Sequence, residues 1–255
     1  MPTGVTLVPV EWVLIAGAAV AVAGYVVGRR QRTRRQADNP ADLALLQRVL
    51  DEDVTALGED LQQLDRDLVG EDLDEGSRTE FKRALDAYDR AKDALTSVRR
   101  ADDTTRVTAA IGDGRFAMAC LHARRAGLPR PERRPPCFFD PRHGPATADV
   151  RWAPPGGTMR EVPACAQDAE RVRGGGRPDM RKVWVGGHLV PHWRAGAAYR
   201  PLQSGYYGTD SQRYFTDTSA AWGIASAHQF GQQHASPSAD FGGDFGGGGD
   251  GGGAP

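Results

Sequence analysis

Residues 137–172 read CFFDPRHGPATADVRWAPPGGTMREVPACAQDAERV. Val150-Arg151-Trp152 alternates apolar and polar side chains as a half-buried strand does. Pro154-Pro155-Gly156-Gly157 has turn composition, and Met159 to Val162 reads as the returning strand. Ala164 to Val172 then has the character of a short helix. A second hairpin is expected at Lys182–Val185 and His188–His192, joined by Gly186-Gly187. Strands mixed with helices in this way place the chain in the α+β class, with a small Cys-containing module at 137–207.

Two short spacings within this stretch carry chemistry. Cys137-x-x-Asp140 precedes the hairpin, and Cys165-x-x-Asp168 opens the helix. This is the layout of a treble-clef zinc module, with aspartate at the second position of each pair. Zinc accepts thiolate, imidazole and carboxylate donors in a tetrahedron. Cys137, Asp140, His143, Cys165 and Asp168 are therefore the candidate metal ligands. Structural zinc sites favour thiolate and imidazole over carboxylate, so a metal-free alternative stays open, with the two thiols as small buried side chains. A disulfide between them would require an oxidising compartment. The sequence contains no phosphate loop, GxSxG, HExxH or dinucleotide fingerprint. His188 and His192 lie beside Trp184 and Trp193 and read as surface or packing residues. No catalytic constellation and no cofactor other than this alternative zinc is read.

Upstream, Leu43, Leu46, Leu50, Val54, Leu57, Leu61, Leu64 and Leu68 alternate spacings of three and four. Such a seam predicts a helix buried along a narrow stripe, in a hairpin or a coiled coil. Asn39-Pro40 supplies its start and Gly70 its end. A second helix is expected from the Ser77-x-x-Glu80 capping-box spacing through Phe81, Leu85, Tyr88, Ala91, Leu95 and Val98. A third runs from about Thr105 to Ala126, stopped by Gly127 and Pro129. The loop from Glu71 to Gly76 is short, so the first two helices should be antiparallel neighbours. Residues 40–127 are thus a helical hairpin or small bundle.

The N-terminal apolar run, Trp12 to Gly28, predicts a transmembrane helix of about 17 residues, roughly 25 Å long. Arg29, Arg30, Arg32, Arg34 and Arg35 follow it. Positive charge beside an apolar run stays on the cytoplasmic side. The expectation is a single-pass protein of the cell membrane, with residues 1–11 outside, residues 29–39 a basic juxtamembrane linker, and the rest cytoplasmic. A cleaved signal peptide fits less well, because no Lys or Arg precedes the run. Gly24 and Gly28, with Gly17 and Ala21, offer small-residue faces for self-association. In a reducing compartment the thiols stay free.

The net charge of −1 conceals segregation. From Asp38 to Glu75 thirteen acids stand against Arg48 and Arg66, whereas Arg124 to Arg142 is basic. The two stretches are complementary if they meet. The strongly acidic first helix argues against nucleic acid as a partner. From Gly208 onward, Gly, Ser, Gln and Asp dominate, ending in DFGGDFGGGGDGGGAP. That composition buries too little apolar surface to offset ordering entropy, so residues 208–255 are expected to be a disordered tail.

The stretch from Cys137 to Val172, followed by the Gly-Gly hairpin, Pro191-His192-Trp193, Ala198-Tyr199 and Gly205-Tyr206-Tyr207, resembles the cytoplasmic region of a family of actinobacterial single-pass membrane proteins. Many of these carry an extracytoplasmic TPM domain before the membrane helix. Here only residues 1–11 precede the apolar run, so no activity of that domain carries over. The resemblance implies a place and an architecture. With no catalytic constellation, the expected function is a membrane-anchored interaction or scaffold protein, with the lipid bilayer and a cytoplasmic protein as partners. The alternative is a zinc-binding module or metal-dependent enzyme centred on Cys137 and Cys165.

Overall fold

The computed structural model describes residues 39–215. The apolar run, its arginines and residues 216–255 lie outside the described residues. Among the described residues no helix is long and apolar enough to cross a membrane. The described residues are of the α+β class, with six helices, two small antiparallel sheets and several 3-10 turns.

Helix α1 spans Pro40–Leu68, α2 Glu75–Thr96 and α3 Thr104–Arg125. The Asn39 side chain caps α1 by accepting from the Ala41 amide at 3.2 Å. The leucine seam turns inward, and Leu46, Leu50, Val54, Leu57, Leu61, Leu64 and Leu68 are all buried. The seam is covered by the chain's own helices. Tyr88 of α2 lies over Gly58, and Leu57 packs on Gly114 of α3. A β-carbon at Gly114 would stand 3.1 Å from Leu57, so the glycine in mid-helix permits the close crossing. α2 runs antiparallel to α1, and α3 returns beside both. Arg124 of α3 accordingly meets Asp74, 2.9 Å away, and Arg125 meets Glu71. The basic and acidic stretches therefore do face each other, at one end of the bundle.

The start of α2 differs from the capping-box expectation. Asp74, not Ser77, is the cap, and its carboxylate accepts from the Ser77 amide at 2.7 Å. An aspartate three residues earlier starts the helix sooner and satisfies an orphan amide, that of Ser77, with a charge that favours the helix N-terminus. These contacts hold the Asp74 carboxyl down at about 2. Glu80 is left to pair with Arg83 and Arg130.

Strand β1, Ala148–Trp152, pairs with β2, Arg160–Ala164, in the register Val150↔Val162. Helix α4, Ala166–Arg173, follows directly. Strands β3, Lys182–Val185, and β4, His188–Pro191, form the second hairpin, with Gly186 and Gly187 at φ 57° and 82°. Two successive residues at positive φ match the right-handed twist of a two-residue hairpin. Helix α5 spans Arg200–Tyr207. Order does not stop at Gly208: a 3-10 turn and helix α6, Ser211–Phe215, continue. Tyr214 and Phe215 are buried against Tyr207 and Phe138, apolar surface that a composition dominated by polar neighbours conceals.

The helices and the module share buried surface. Val183, Ala195, Tyr199 and Leu202 join the leucine core, while a second core gathers Phe138, Phe139, Val150, Trp152, Val162 and Trp193. Phe138 stacks on Trp193 at 5.5 Å and meets Phe139 edge-on at 5.6 Å.

Candidate metal centre

Three backbone devices bring the candidate ligands together. Cys137 lies in an extended segment tied by its amide to the Gly144 carbonyl at 2.9 Å, and Phe138 donates to Pro163 at 2.8 Å. These bonds lay the segment beside the end of β2. Asp140 then caps a 3-10 turn, Pro141–His143, which Gly144 closes at φ 84°. That tight return lifts His143 back over Cys137. On the other side, β2 ends at Ala164 and Cys165 serves as the cap of α4. One turn into that helix, Asp168 comes back to the same point.

One ligand atom from each of Cys137, His143, Cys165 and Asp168 falls within 4.8 Å of all the others. The Asp168 Oδ2 oxygen lies 2.9 Å from His143 Nδ1 and 3.4 Å from each of Cys137 Sγ and Cys165 Sγ. Cys165 Sγ is 3.7 Å from the same His143 nitrogen. Tetrahedral zinc bonds to sulfur, nitrogen and oxygen place neighbouring ligand atoms roughly 3.3–3.8 Å apart. The donor set and most of these separations therefore fit that ion with small movements.

The surroundings hold the set in place. Asp168 is fully buried, and its other oxygen accepts from the Asp179 amide at 2.8 Å and from Arg171 at 2.9 Å. His143 Nε2 looks toward Asp179, 3.9 Å away, as ligating imidazoles usually look toward a carboxylate. Burial alone would raise the Asp168 carboxyl, but the Asp179 amide, Arg171 and His143 hold it low. The hydrogen bond to Cys165, then the Asp140, Cys165 and Asp168 charges, push His143 up to about 9 against the cost of burial. Cys165 is pulled down by the Cys137 thiol and the His143 ring, while Cys137, its partner, is pushed up by that hydrogen bond and by burial.

Of the five residues singled out by spacing, Asp140 is not in the set. Its carboxylate is engaged by Arg142, through Nε at 3.0 Å and Nη2 at 2.6 Å, and by the Arg142 amide at 2.9 Å. Burial would raise this carboxyl, and Arg142 keeps it low. All three cysteines are free thiols, and Cys120 is buried in α3, away from the cluster. Sequence reasoning missed Arg171 and Asp179; the only local signal was the i,i+3 spacing of Asp168 and Arg171. His192, expected at the surface or in packing, lies in the interior: the ring is buried and its Nε2 meets the Phe138 carbonyl at 2.7 Å.

The arrangement does not form a nucleophilic relay. In a Cys–His–Asp relay the two imidazole nitrogens face the thiol and the carboxylate separately. Here Cys165 Sγ and Asp168 Oδ2 approach the same nitrogen, Nδ1. A metal bound by all four of these protein donors would have the closed shell of a structural zinc site. No protein-family model, curated protein or solved structure matches this chain.

Proposed function

We propose that the chain is a membrane-anchored interaction protein whose Cys-containing module is held together by one zinc ion on Cys137, His143, Cys165 and Asp168. One observation carries the metal reading: Asp168 Oδ2 is approached by the imidazole and both thiols at once. Without a cation, that one carboxylate oxygen and the lowered Cys165 thiol crowd against the same imidazole nitrogen and the Cys137 thiol. A divalent ion among the four donors removes that crowding and neutralises two thiolates. When bound, it links the 3-10 turn, the β2 end and α4, at the edge of the apolar core that Phe138, Val162, Ala164 and Ala169 share.

The membrane part rests on residues 12–28 and the arginines that follow, and on the resemblance to single-pass proteins. The interaction part is supported by the exposed pair Trp184 and Leu189, which lie opposite each other on β3 and β4. A large apolar pair left on a hairpin suits a protein partner.

The test is metal analysis of the purified full-length protein and of its Cys137→Ser and Cys165→Ser variants. One zinc per chain is expected in the parent and a large loss in both variants. A folded, reduced parent without stoichiometric zinc under zinc-replete conditions would overturn the metal reading.

A further inference from the structure

A cleft of about 330 Å³ lies between α3, the linker 133–136, the 3-10 turn that follows Asp140, and the Gly205–Tyr206 end of α5. Arg115, Arg133 and Arg134 line it, and no carboxylate residue does. The rings of Phe116, Tyr206 and several prolines supply much of its remaining wall, with Thr108 and small residues between them.

The state of the arginines is unusual. Arg115 is only 8 % exposed. Its Nη1 holds Asp60 at 2.8 Å, while Nε and Nη2 have no hydrogen-bond partner. Arg134 repeats the pattern: Nη2 holds Asp149 at 2.5 Å, and the buried Nε has no partner. Buried guanidinium donors are rarely left without acceptors, because each loses its hydration without compensation. In both residues one end of the fork is anchored by a carboxylate, so the orientation is fixed before any ligand arrives. Arg133 reaches over the Phe116 ring at 5.1 Å and pairs with Asp113, so it frames the rim without adding a free charge.

From these features we infer that the cleft binds a small organic anion, a phosphate or carboxylate carried on a flat apolar body. Its oxygens take the free donors of Arg115 and Arg134, and its body lies among Phe116, Tyr206 and the prolines. Planar forks of this kind match both oxyanions. The volume is at the small end of the ~300–1,000 Å³ typical of ligand pockets, which fits a single-ring molecule rather than a polymer. The site does not depend on zinc, although the loop bearing His143 forms one wall.

The experiment is calorimetric titration of the full-length protein with phenyl phosphate, benzoate, inorganic phosphate and neutral benzyl alcohol. Saturable one-site binding of phenyl phosphate or benzoate is expected, with benzyl alcohol inert. The tighter of the two ring anions identifies the oxyanion class. Weaker binding of inorganic phosphate than of phenyl phosphate supports the apolar body, and equal binding would overturn that part. Arg115→Gln should weaken the ring anion by at least about tenfold, the worth of one charge-assisted bond. Should that buried variant fail to fold, Arg134→Gln serves instead, since its side chain is partly exposed. Absence of saturable binding to either ring anion, or unchanged affinity in the folded arginine variants, would overturn the proposal.

Discussion

Arg181 and Asp53 are separated by 128 residues in the chain and meet at 2.7 Å, both essentially inaccessible to solvent. Tyr206 donates to the same carboxylate at 2.5 Å. The pair joins α1 to the strand hairpin through charge as well as apolar contact. Breaking a buried pair leaves one charge without compensation, so Asp53→Ala should cost about 3–5 kcal/mol. Replacing all three polar groups together, by Asp53→Leu, Arg181→Met and Tyr206→Phe, should recover most of that loss. Urea denaturation of both variants checks this; equal losses would mean that the stranded Arg181 charge is not what destabilises the single variant, and small losses in both that the apolar contacts alone make the joint.

His192 gives the protein a pH dependence whose sign is fixed by burial. Its folded pKa is lowered to about 4, chiefly because the ring is desolvated, against an ordinary value of 6.5. The unfolded chain therefore binds the extra proton first. Stability from the neutral ring is fully present above about pH 6.5 and is lost as the pH falls toward 4. The change is roughly 3 kcal/mol at most. Denaturant midpoints at pH 7, 5.5 and 4 should fall in that order, and a folded His192→Gln variant should show a shallower fall between pH 6.5 and 4.

Gly205 is required by proximity, not by its backbone angle. A β-carbon there would stand 2.5 Å from Thr108 Oγ1. That hydroxyl is held by the Thr104 carbonyl at 3.2 Å and the Thr105 carbonyl at 3.1 Å, so it has little freedom to retreat. Gly205→Ala should destabilise by about 1–3 kcal/mol, although alanine is the better helix former. Adding Thr108→Ala should relieve much of the cost. A thermal melt in which the single variant is as stable as the parent would show that α5 can move off α3 freely.

The parts of the fold legible in the sequence are those with a local period. The leucine seam announces α1, and Gly186-Gly187 between alternating residues announces the β3–β4 hairpin. Cys137, His143, Cys165 and Asp168 were legible as ligand types at suggestive spacings. The Arg181–Asp53 pair was not, because nothing near either residue encodes a partner so far along the chain. Nor was the burial of Tyr214 and Phe215: they are two aromatics among polar neighbours, and contact with Tyr207 and Phe138 far back in the chain helps bury them.

Asp140 and Asp168 occupy the same position in the same Cys-x-x-Asp spacing, yet their surroundings give them different work. Cys165 caps a true α-helix, so three residues later the chain has made nearly one turn and Asp168 returns to its thiol. Cys137 precedes an extended segment, which carries Asp140 past the cluster to cap a 3-10 turn and grip Arg142. Removing the Asp168 charge by Asp168→Asn weakens the one oxygen that all three other ligands approach and should lower zinc affinity by at least about tenfold. Asp140→Asn should leave zinc affinity within a few-fold of the parent while loosening Arg142, whose side chain can turn to solvent. Competition with a chromophoric chelator separates the two. Equal losses would mean that Asp140 acts on the metal, and no loss in either variant would mean that the cluster holds no zinc through its carboxylates.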